Sequence, residues 1–473
     1  MQQLVRTIAI VGGGFSGTVL AANLLRKAAH TPTRLLLIER EHDIGCGLAY
    51  ENHALHRRLL LNVTAGRMSA TTAAPLEFFH FAQRRLPNVT IEDFLPRALY
   101  GEYLQEVLLA AELSAARSIR LERMRAEVIR VKRIDRSRPL QLDLSDGKTI
   151  VADQVIVASG NPPPAPLAMC TGLSDGYVDD PWQPGALDGV AGEVVLIGTS
   201  LTMADMVLTL AGRPEVTRIH ALSRHGLVPP RQTAFRPDAF KGDGSALLLV
   251  ASSSLRSLSR AVRGLAEEAE GAGGDWREAV TFVRNLAPRI WQRLPERDRA
   301  RFLRHLRAYW DIHRHRLPPQ TVTRLNELRE RGRLHIQAAR IEKCARVDGR
   351  IRVPHRRRGH AHTTELLVDH VINCTGPDYD LARTRDPLWR SLADSGLAVR
   401  DALGLGVKTG ANGALFDADG WPGPHLYYLG PMLRADHWEA TAAAELRVHA
   451  EQLATALMNG DRSENTNVRR AAT

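Results

Sequence analysis

Short apolar runs that stop at glycine punctuate this chain. The first is Ile8-Ala9-Ile10-Val11, halted by Gly12-Gly13-Gly14. It has no alternating polar positions, so it reads as a strand buried on both faces, as in parallel sheets. Thr18 to Arg26 continues at helical spacing, and Arg34 to Ile38 reads as a second strand. Gln154 to Ala158, Val194 to Ile197, Ile219 to Leu222, His370 to Asn373 and Leu426 to Leu429 repeat the short apolar pattern. Residues 75 to 118 are predicted helix-rich, with Leu99, Tyr103, Val107 and Leu108 at helical spacing. Ala126 to Lys132, Leu140 to Leu144 and Thr149 to Ala152 predict a β-meander. Its last two strands join through Ser145-Asp146-Gly147-Lys148.

Residues 231 to 335 are predicted mostly helical, with a flexible break from Gly264 to Gly274. A helix starting near Pro295 is expected to reach His315, carrying Phe302, Leu306, Tyr309 and Ile312 along one face. Asp311 and His315 are spaced for a local ion pair. Trp438-Glu439 leads into an alanine-rich helix expected to end near Met458, and the polar residues 459–473 are expected to be disordered. The fold class that follows is α/β. Two Rossmann-like dinucleotide-binding domains are expected, the second inserted in the first, with a helical insertion and a β-meander. The expected boundaries are 1–188 for the first part of one domain and 189–364 for the inserted domain, whose helical insertion covers about 231–335. Residues 365–458 then return to the first domain, with His370 to Pro377 among its strands.

Gly12, Gly14 and Gly17 fall on the G-x-G-x-x-G spacing between a strand and a helix. The first glycine makes the tight turn, the second admits a diphosphate to the backbone, and the third lets helix and strand pack closely. Phe15 and Ser16 occupy the helix's first turn, whose free N–H groups favour an anion. Glu39, followed by Arg40, closes the second strand, where a carboxylate accepts ribose hydroxyls. A second strand–turn–helix begins at Val194. Only Gly198 of its fingerprint remains, with Ser200 and Met203 at the later glycine positions. Arg224 ends the next strand where Glu39 ended the first. An arginine there suits a 2′-phosphate and favours NADPH over NADH.

At 473 residues and 44% hydrophobic, the chain has the length of a multidomain globular protein. No stretch is long and apolar enough for a transmembrane helix, so no membrane role is expected. Cys46, Cys170, Cys344 and Cys374 are far apart in sequence and form no C-x-x-C. That argues for a reducing, cytoplasmic setting and against zinc or dithiol chemistry. His313 and His315, two apart on a helix, point different ways, so no metal site is expected. The net charge of +11 is carried mostly by scattered arginine, lysine occurring only at 27, 132, 148, 241, 343 and 408. Arg356-Arg357-Arg358 is the one tract. Affinity for small anions is expected rather than nucleic-acid binding.

Several motifs together resemble a known group. They are Gly45-Cys46-Gly47-Leu48-Ala49-Tyr50, Leu60 to Ala70, Gly198 to Asp205, Trp310 to Arg316, and Trp438-Glu439 with Glu445-Leu446-Arg447. The chain resembles the two-dinucleotide-binding-domain flavoproteins. More narrowly it is similar to the bacterial FAD/NAD(P)-binding family that includes aspartate N-monooxygenase and an FAD-dependent urate hydroxylase. The resemblance implies FAD on Gly12, Gly14, Gly17 and Glu39, with Gly47 nearby and adenine near Val128. It implies that the loop Asn62 to Ser69, including Met68, lines the flavin. Gly430 would lie by the ribityl chain, and Gly160 and Gly376 close strands beside the cofactors. NADPH would approach Gly198, Ser200 and Arg224. Thr64 departs from the family's usual proline, and Ser200 from a glycine, where its Cβ crowds the diphosphate.

The activity so implied is an FAD-dependent, NADPH-using monooxygenase that hydroxylates a small anionic or amine-bearing substrate with O2, through a C4a-peroxyflavin. Asn62, Arg67 and Ser69 are candidates for polar contacts at the reacting centre, or for hydrogen bonds that only stabilise their loop. His313, Arg314 and Arg316 are candidates for an anionic substrate. Two alternatives remain: an NAD(P)H oxidase or reductase without hydroxylation, and a flavin-binding redox sensor.

Overall fold

The first strand, β1 (Arg6–Val11), lies at the centre of a six-stranded sheet. It pairs in parallel with β2 (Thr33–Glu39) on one side and with Gln154–Val157 on the other. Covered on both faces, such a strand can be apolar throughout, and Ile8, Ala9 and Ile10 are fully buried. The sheet continues outward through Ile119–Arg125 beside β2, and through Pro422–Tyr428 with its antiparallel partner Ala414–Phe416 at the other edge. The computed structural model describes the chain except residues 1–4, 28, 30, 42, 52–58, 136–138, 234–238 and 472–473; the side chains of 460–471 are likewise outside the description.

The chain divides into two compact units, 1–162 with 379–473, and 163–378. In the first, helix α1 (Phe15–Leu25) buries Leu20, Ala21, Leu24 and Leu25 in the same core as Ala450, Leu453, Ala454 and Leu457 of the last helix. Small residues allow two helices to approach closely. The expected meander is present as Val128–Lys132, Leu140–Leu144 and Thr149–Ala152. Gly147, at φ +84°, makes its hairpin turn.

The second unit holds an eight-stranded sheet. Tyr177–Val178, His370–Asn373, Gly192–Ile197, Val216–Ser223 and Leu334–Ile341 run parallel, and the sheet extends into the antiparallel strands Arg350–Arg357, Ala345–Val347 and Thr363–Val368. Six helices between Gly244 and Glu330 fill the connection from Ser223 to Leu334.

Several expectations need correction. His370–Asn373 does not return to the first sheet: it pairs in parallel with Gly192–Ile197, His370 opposite Val194. Tyr177–Val178 pairs with it in turn. The unit boundaries therefore fall at 162/163 and 378/379, not at 188/189 and 364/365. The expected break from Gly264 to Gly274 is confined to its end, where residues 272–275 separate two helices, and Gly264 itself interrupts nothing. The helix Leu255–Gly271 runs through it, because one glycine costs only about 1 kcal/mol in a helix. The Pro295–His315 stretch is two helices, Glu296–His305 and Arg307–Arg314, parted at Leu306. The final helix runs from Ala443 to Ala471 instead of ending near Met458, its last two expected tail residues lying outside the described ones. A helix already anchored extends one hydrogen bond at a time without a new nucleus.

Candidate functional site

Gly12 has φ +111°, in the region that L-residues avoid. A Cβ there would lie 2.6 Å from the carbonyl oxygen of Ala158, on the neighbouring strand. A Cβ on Gly17 would lie 1.9 Å from the Gly12 carbonyl oxygen, so only glycine lets α1 come this close to the turn. Gly14 is the helix N-cap and faces Gly47, whose φ is +51° and whose Cβ would stand 3.0 Å from the Gly14 Cα. The Gly45 N–H donates to the Gly13 carbonyl at 2.8 Å, which ties the two loops together. No side chain caps α1. Its first N–H groups are thus left for an anion.

Glu39 is nearly buried. Its Oε2 accepts from the Gly13 N–H at 2.7 Å, and its Oε1 from the N–H groups of Arg40 at 2.8 Å and Glu41 at 3.2 Å. A carboxylate has about four acceptor sites, so three fixed bonds orient it and leave capacity for a hydroxyl. The Glu39 carbonyl accepts from Ala126, which brings the meander and the buried Val128 to this strand end. Arg40 is exposed and reaches Glu127 at 3.3 Å and Asp386 at 3.6 Å, so it serves the surface as much as any ligand.

The loop from Asn62 to Ala70 separates its candidate residues. Asn62 is half-buried, and its side chain makes no hydrogen bond among the described residues. Arg67 is exposed at the end of a single turn, Ala65–Arg67. Met68 is buried. Ser69 is also buried, and its hydroxyl lies within bonding distance of the Ala74 carbonyl at 2.6 Å and the Thr71 carbonyl at 3.1 Å, while its carbonyl accepts from Arg447 at 2.8 Å. Its bonds serve the loop. Tyr103 completes the brace: its hydroxyl accepts from the Ala70 N–H at 2.9 Å and donates to Glu77 at 2.7 Å. Burial and the Glu77 carboxylate push its ionisation far above the ordinary phenol range.

Gly430 follows the strand Pro422–Tyr428. A Cβ there would lie 2.4 Å from the Tyr428 hydroxyl and 2.5 Å from the Ser159 carbonyl. Tyr428 donates to that carbonyl at 3.4 Å and accepts from the Met432 N–H at 3.0 Å; Trp389 donates to the Ser159 hydroxyl at 3.1 Å. Gly160, one residue on, is exposed with nothing around its Cβ position. Sequence reasoning missed Tyr428, Trp389, Tyr103 and Arg447 as supports. Arg447 carried a signal as part of the Glu445-Leu446-Arg447 motif, and Tyr103 only as a core position at helical spacing.

The second unit repeats the steric scheme. Gly198 has φ +128°, and its Cβ would lie 2.3 Å from the Cys374 carbonyl oxygen, as that of Gly12 would from Ala158. Ser200 is the N-cap of Leu201–Leu210 with ordinary extended backbone, and its hydroxyl is uncommitted among the described residues. Met203 is buried where the third glycine would stand. Arg224 is exposed at the carboxyl end of Val216–Ser223. Gly376, φ +83°, follows His370–Asn373 in this same unit.

His313 and Arg316 come together on the Trp276 ring, the two rings of His313 and Trp276 being 5.2 Å apart. Arg316 is buried over the Trp276 ring at 5.4 Å, donating to the His313 carbonyl at 3.1 Å and to Gln232 at 3.3 Å. Arg314 donates to His315. Asp311 pairs with Arg307 at 3.3 Å rather than with His315. Arg316 thus has a packing role. The sequence separation of the cysteines also misleads in part: Cys170 and Cys344 share one buried cluster, joined by the Cys344 N–H to Met169 carbonyl bond at 2.8 Å. All four thiols are buried. Among the described residues no cluster of metal-ligating side chains occurs, and no helix is long and apolar enough to cross a membrane.

Comparison with known proteins agrees with this geometry. A family model described as FAD-NAD(P)-binding matches residues 9–162. The uncharacterized protein YdhS of Escherichia coli (strain K12) is 28% identical over 112 residues, 22% of this chain, so the match spans about a fifth of that protein's length. Among solved structures, the ornithine hydroxylase PvdA of Pseudomonas aeruginosa superposes with a TM-score of 0.62 at 16% identity, covering 96% of this chain and 99% of that one. The ornithine N-hydroxylase of Kutzneria sp. 744, with reduced FAD, NADP+ and L-ornithine, gives 0.61 at 16% identity over 96% and 99%. The bacillithiol disulfide reductase of Staphylococcus aureus gives 0.54 at 11% identity over 97% and 99%. The α/β fold is therefore shared with these hydroxylases and this reductase.

Proposed function

We propose that this chain is an FAD-dependent, NADPH-using monooxygenase that hydroxylates a small amine-bearing or anionic substrate. One observation carries the reading. Both units jam a positive-φ glycine against the carbonyl that ends the adjacent parallel strand, Gly12 on Ala158 and Gly198 on Cys374. Each turn then opens onto an uncapped helix N-terminus. A Cβ would strike either carbonyl, and the turn that glycine permits leaves the first N–H groups of the helix open to a diphosphate. The two strand ends differ in sign, Glu39 in one and Arg224 in the other, which supports two different nucleotides.

When bound, FAD supplies hydride acceptance from NADPH and activation of oxygen. The chain's own residues do the remaining work. Gly12, Gly14 and the first turn of α1, with Phe15 and Ser16, hold the FAD diphosphate. Glu39 accepts from the ribose. Gly430 leaves room beside Ser159, and Asn62 offers an unspent amide. In the second unit the Ser200 hydroxyl can donate to a phosphate, which offsets the space its Cβ takes. Tyr103 and Arg447 fix the 62–70 loop so that water is kept out.

The structural likeness to ornithine hydroxylases supports N-hydroxylation, and the sequence resemblance to the family of aspartate N-monooxygenase and urate hydroxylase supports a substrate that carries negative charge. The test is NADPH consumption with a panel of ornithine, lysine, cadaverine, aspartate and urate, with mass analysis of products. Gain of one oxygen atom, coupled to NADPH loss, is the expected result. The disulfide reductase on the same fold keeps a second reading in view. NADPH turnover indifferent to every substrate, with hydrogen peroxide as product, would favour an oxidase. A reductase working through its own thiols fits poorly, because all four cysteines are buried.

A further inference from the structure

The loop after Val216–Ser223 meets a second source of positive charge from a distant segment. Arg224 is exposed and makes no ion pair among the described residues. Arg358, from the turn that follows the strand Arg350–Arg357, donates to His225 Nδ1 at 3.3 Å. A guanidinium can only donate, so Nδ1 is the acceptor and the imidazole is neutral. Burial, and then the charges of Arg358 and Arg224, hold His225 below the ordinary histidine range. The Arg358 guanidinium thus lies against the neutral ring of the residue that follows Arg224 in the chain. Like charges so placed repel, and an anion is what would relieve them.

The backbone fixes this arrangement from both sides of Ala338. Gly226, at φ +61°, presses on one side: a Cβ would lie 2.8 Å from the Ala338 nitrogen. On the other, the Arg358 N–H donates to the Ala338 carbonyl at 2.9 Å, and Gly359 at φ +84° turns the hairpin. The loop is also tied to the glycine turn. The Gly226 N–H donates to the Ser223 hydroxyl at 2.9 Å, that hydroxyl is 2.8 Å from the Thr199 hydroxyl, and Thr199 donates to the Leu227 carbonyl at 2.6 Å. Thr199 sits between Gly198 and Ser200. A nucleotide whose diphosphate rests on that turn has its adenosine ribose directed toward the end of the following strand.

We infer that Arg358, with Arg224, forms a two-element clamp for the 2′-phosphate of NADPH, so that cofactor choice is set by Arg358 of the hairpin turn as well as by the strand end. This rests on the nicotinamide-nucleotide reading above. A phosphate monoester offers several oxygens to two planar donors, which is the geometry arginine suits and lysine does not.

The test uses the flavin-loaded protein and calorimetric titration with 2′,5′-ADP and 5′-AMP, which differ only by the 2′-phosphate. Wild type should prefer 2′,5′-ADP. Arg358→Ala and Arg224→Ala should each cut that preference about tenfold or more, with 5′-AMP affinity unchanged. Arg356→Ala, on the same exposed strand end, should leave the preference intact. If Arg224→Ala abolishes the preference and Arg358→Ala does not, the hairpin has no part in the clamp while the nicotinamide site stands. If wild type shows no preference, or binds neither nucleotide, the NADPH reading fails and the clamp with it.

Discussion

Replacing Gly12 by alanine perturbs the turn in two separable ways. Its φ of +111° lies where a Cβ meets its own backbone, at about 1–2 kcal/mol for an L-residue. The added carbon would also lie 2.6 Å from the Ala158 oxygen and 3.0 Å from its carbon. These are main-chain atoms of a buried parallel strand, so they cannot rotate away. Overpacking of this kind costs about 1–3 kcal/mol. The expected destabilisation of the first unit is therefore about 2–5 kcal/mol, with loss of flavin, because the turn must open where the diphosphate would rest. The assay is urea unfolding followed by flavin fluorescence, together with flavin content after gel filtration. Gly160→Ala is the matched control: nothing lies within 4 Å of its Cβ position, and its stability should stay within about 0.5 kcal/mol of wild type. A Gly12→Ala protein with wild-type stability and full flavin content would refute the reasoning.

In the second unit, Gly198→Ala should weaken NADPH binding at least about tenfold while flavin content stays full, since its Cβ would strike Cys374 and not the first sheet; equal loss of both cofactors would contradict this. Tyr103→Phe strands the Ala70 N–H and one acceptor bond of Glu77, so it should cost about 1–3 kcal/mol in urea unfolding, and an unchanged midpoint would count against the loop brace. His449 is held down to about 4, first by burial and then by the charge of His437. The neutral ring is what the fold accepts, so its contribution is complete above about pH 6.5 and is lost as pH falls through about 4, by about 3 kcal/mol at most. His449→Gln should flatten stability across that window, and an unaltered pH profile would show that the ring does not titrate with folding.

Local geometry was legible in the sequence, and partnership was not. Gly12, Gly17 and Glu39 could be read because the strand, turn and helix that give them meaning are adjacent along the chain. The hairpin at Gly147 was readable for the same reason. His370–Asn373 was assigned to the wrong sheet because a short apolar strand ending at glycine looks alike in either, and nothing local names its parallel neighbour. Ser69 looked like a candidate for chemistry until its bonds to Thr71 and Ala74 were seen. Arg358 and His225 lie 133 positions apart, and only the sheet extension beside Ala338 unites them. Cys170 and Cys344 were judged distant by the same sequence measure.

Flavin content of the purified chain tests the central claim most directly. Released cofactor should be FAD, at about one per chain, and Glu39→Ala should lower its affinity at least about tenfold by removing the carboxylate proposed to accept from the ribose. Colourless protein that stays colourless after incubation with FAD would contradict the account.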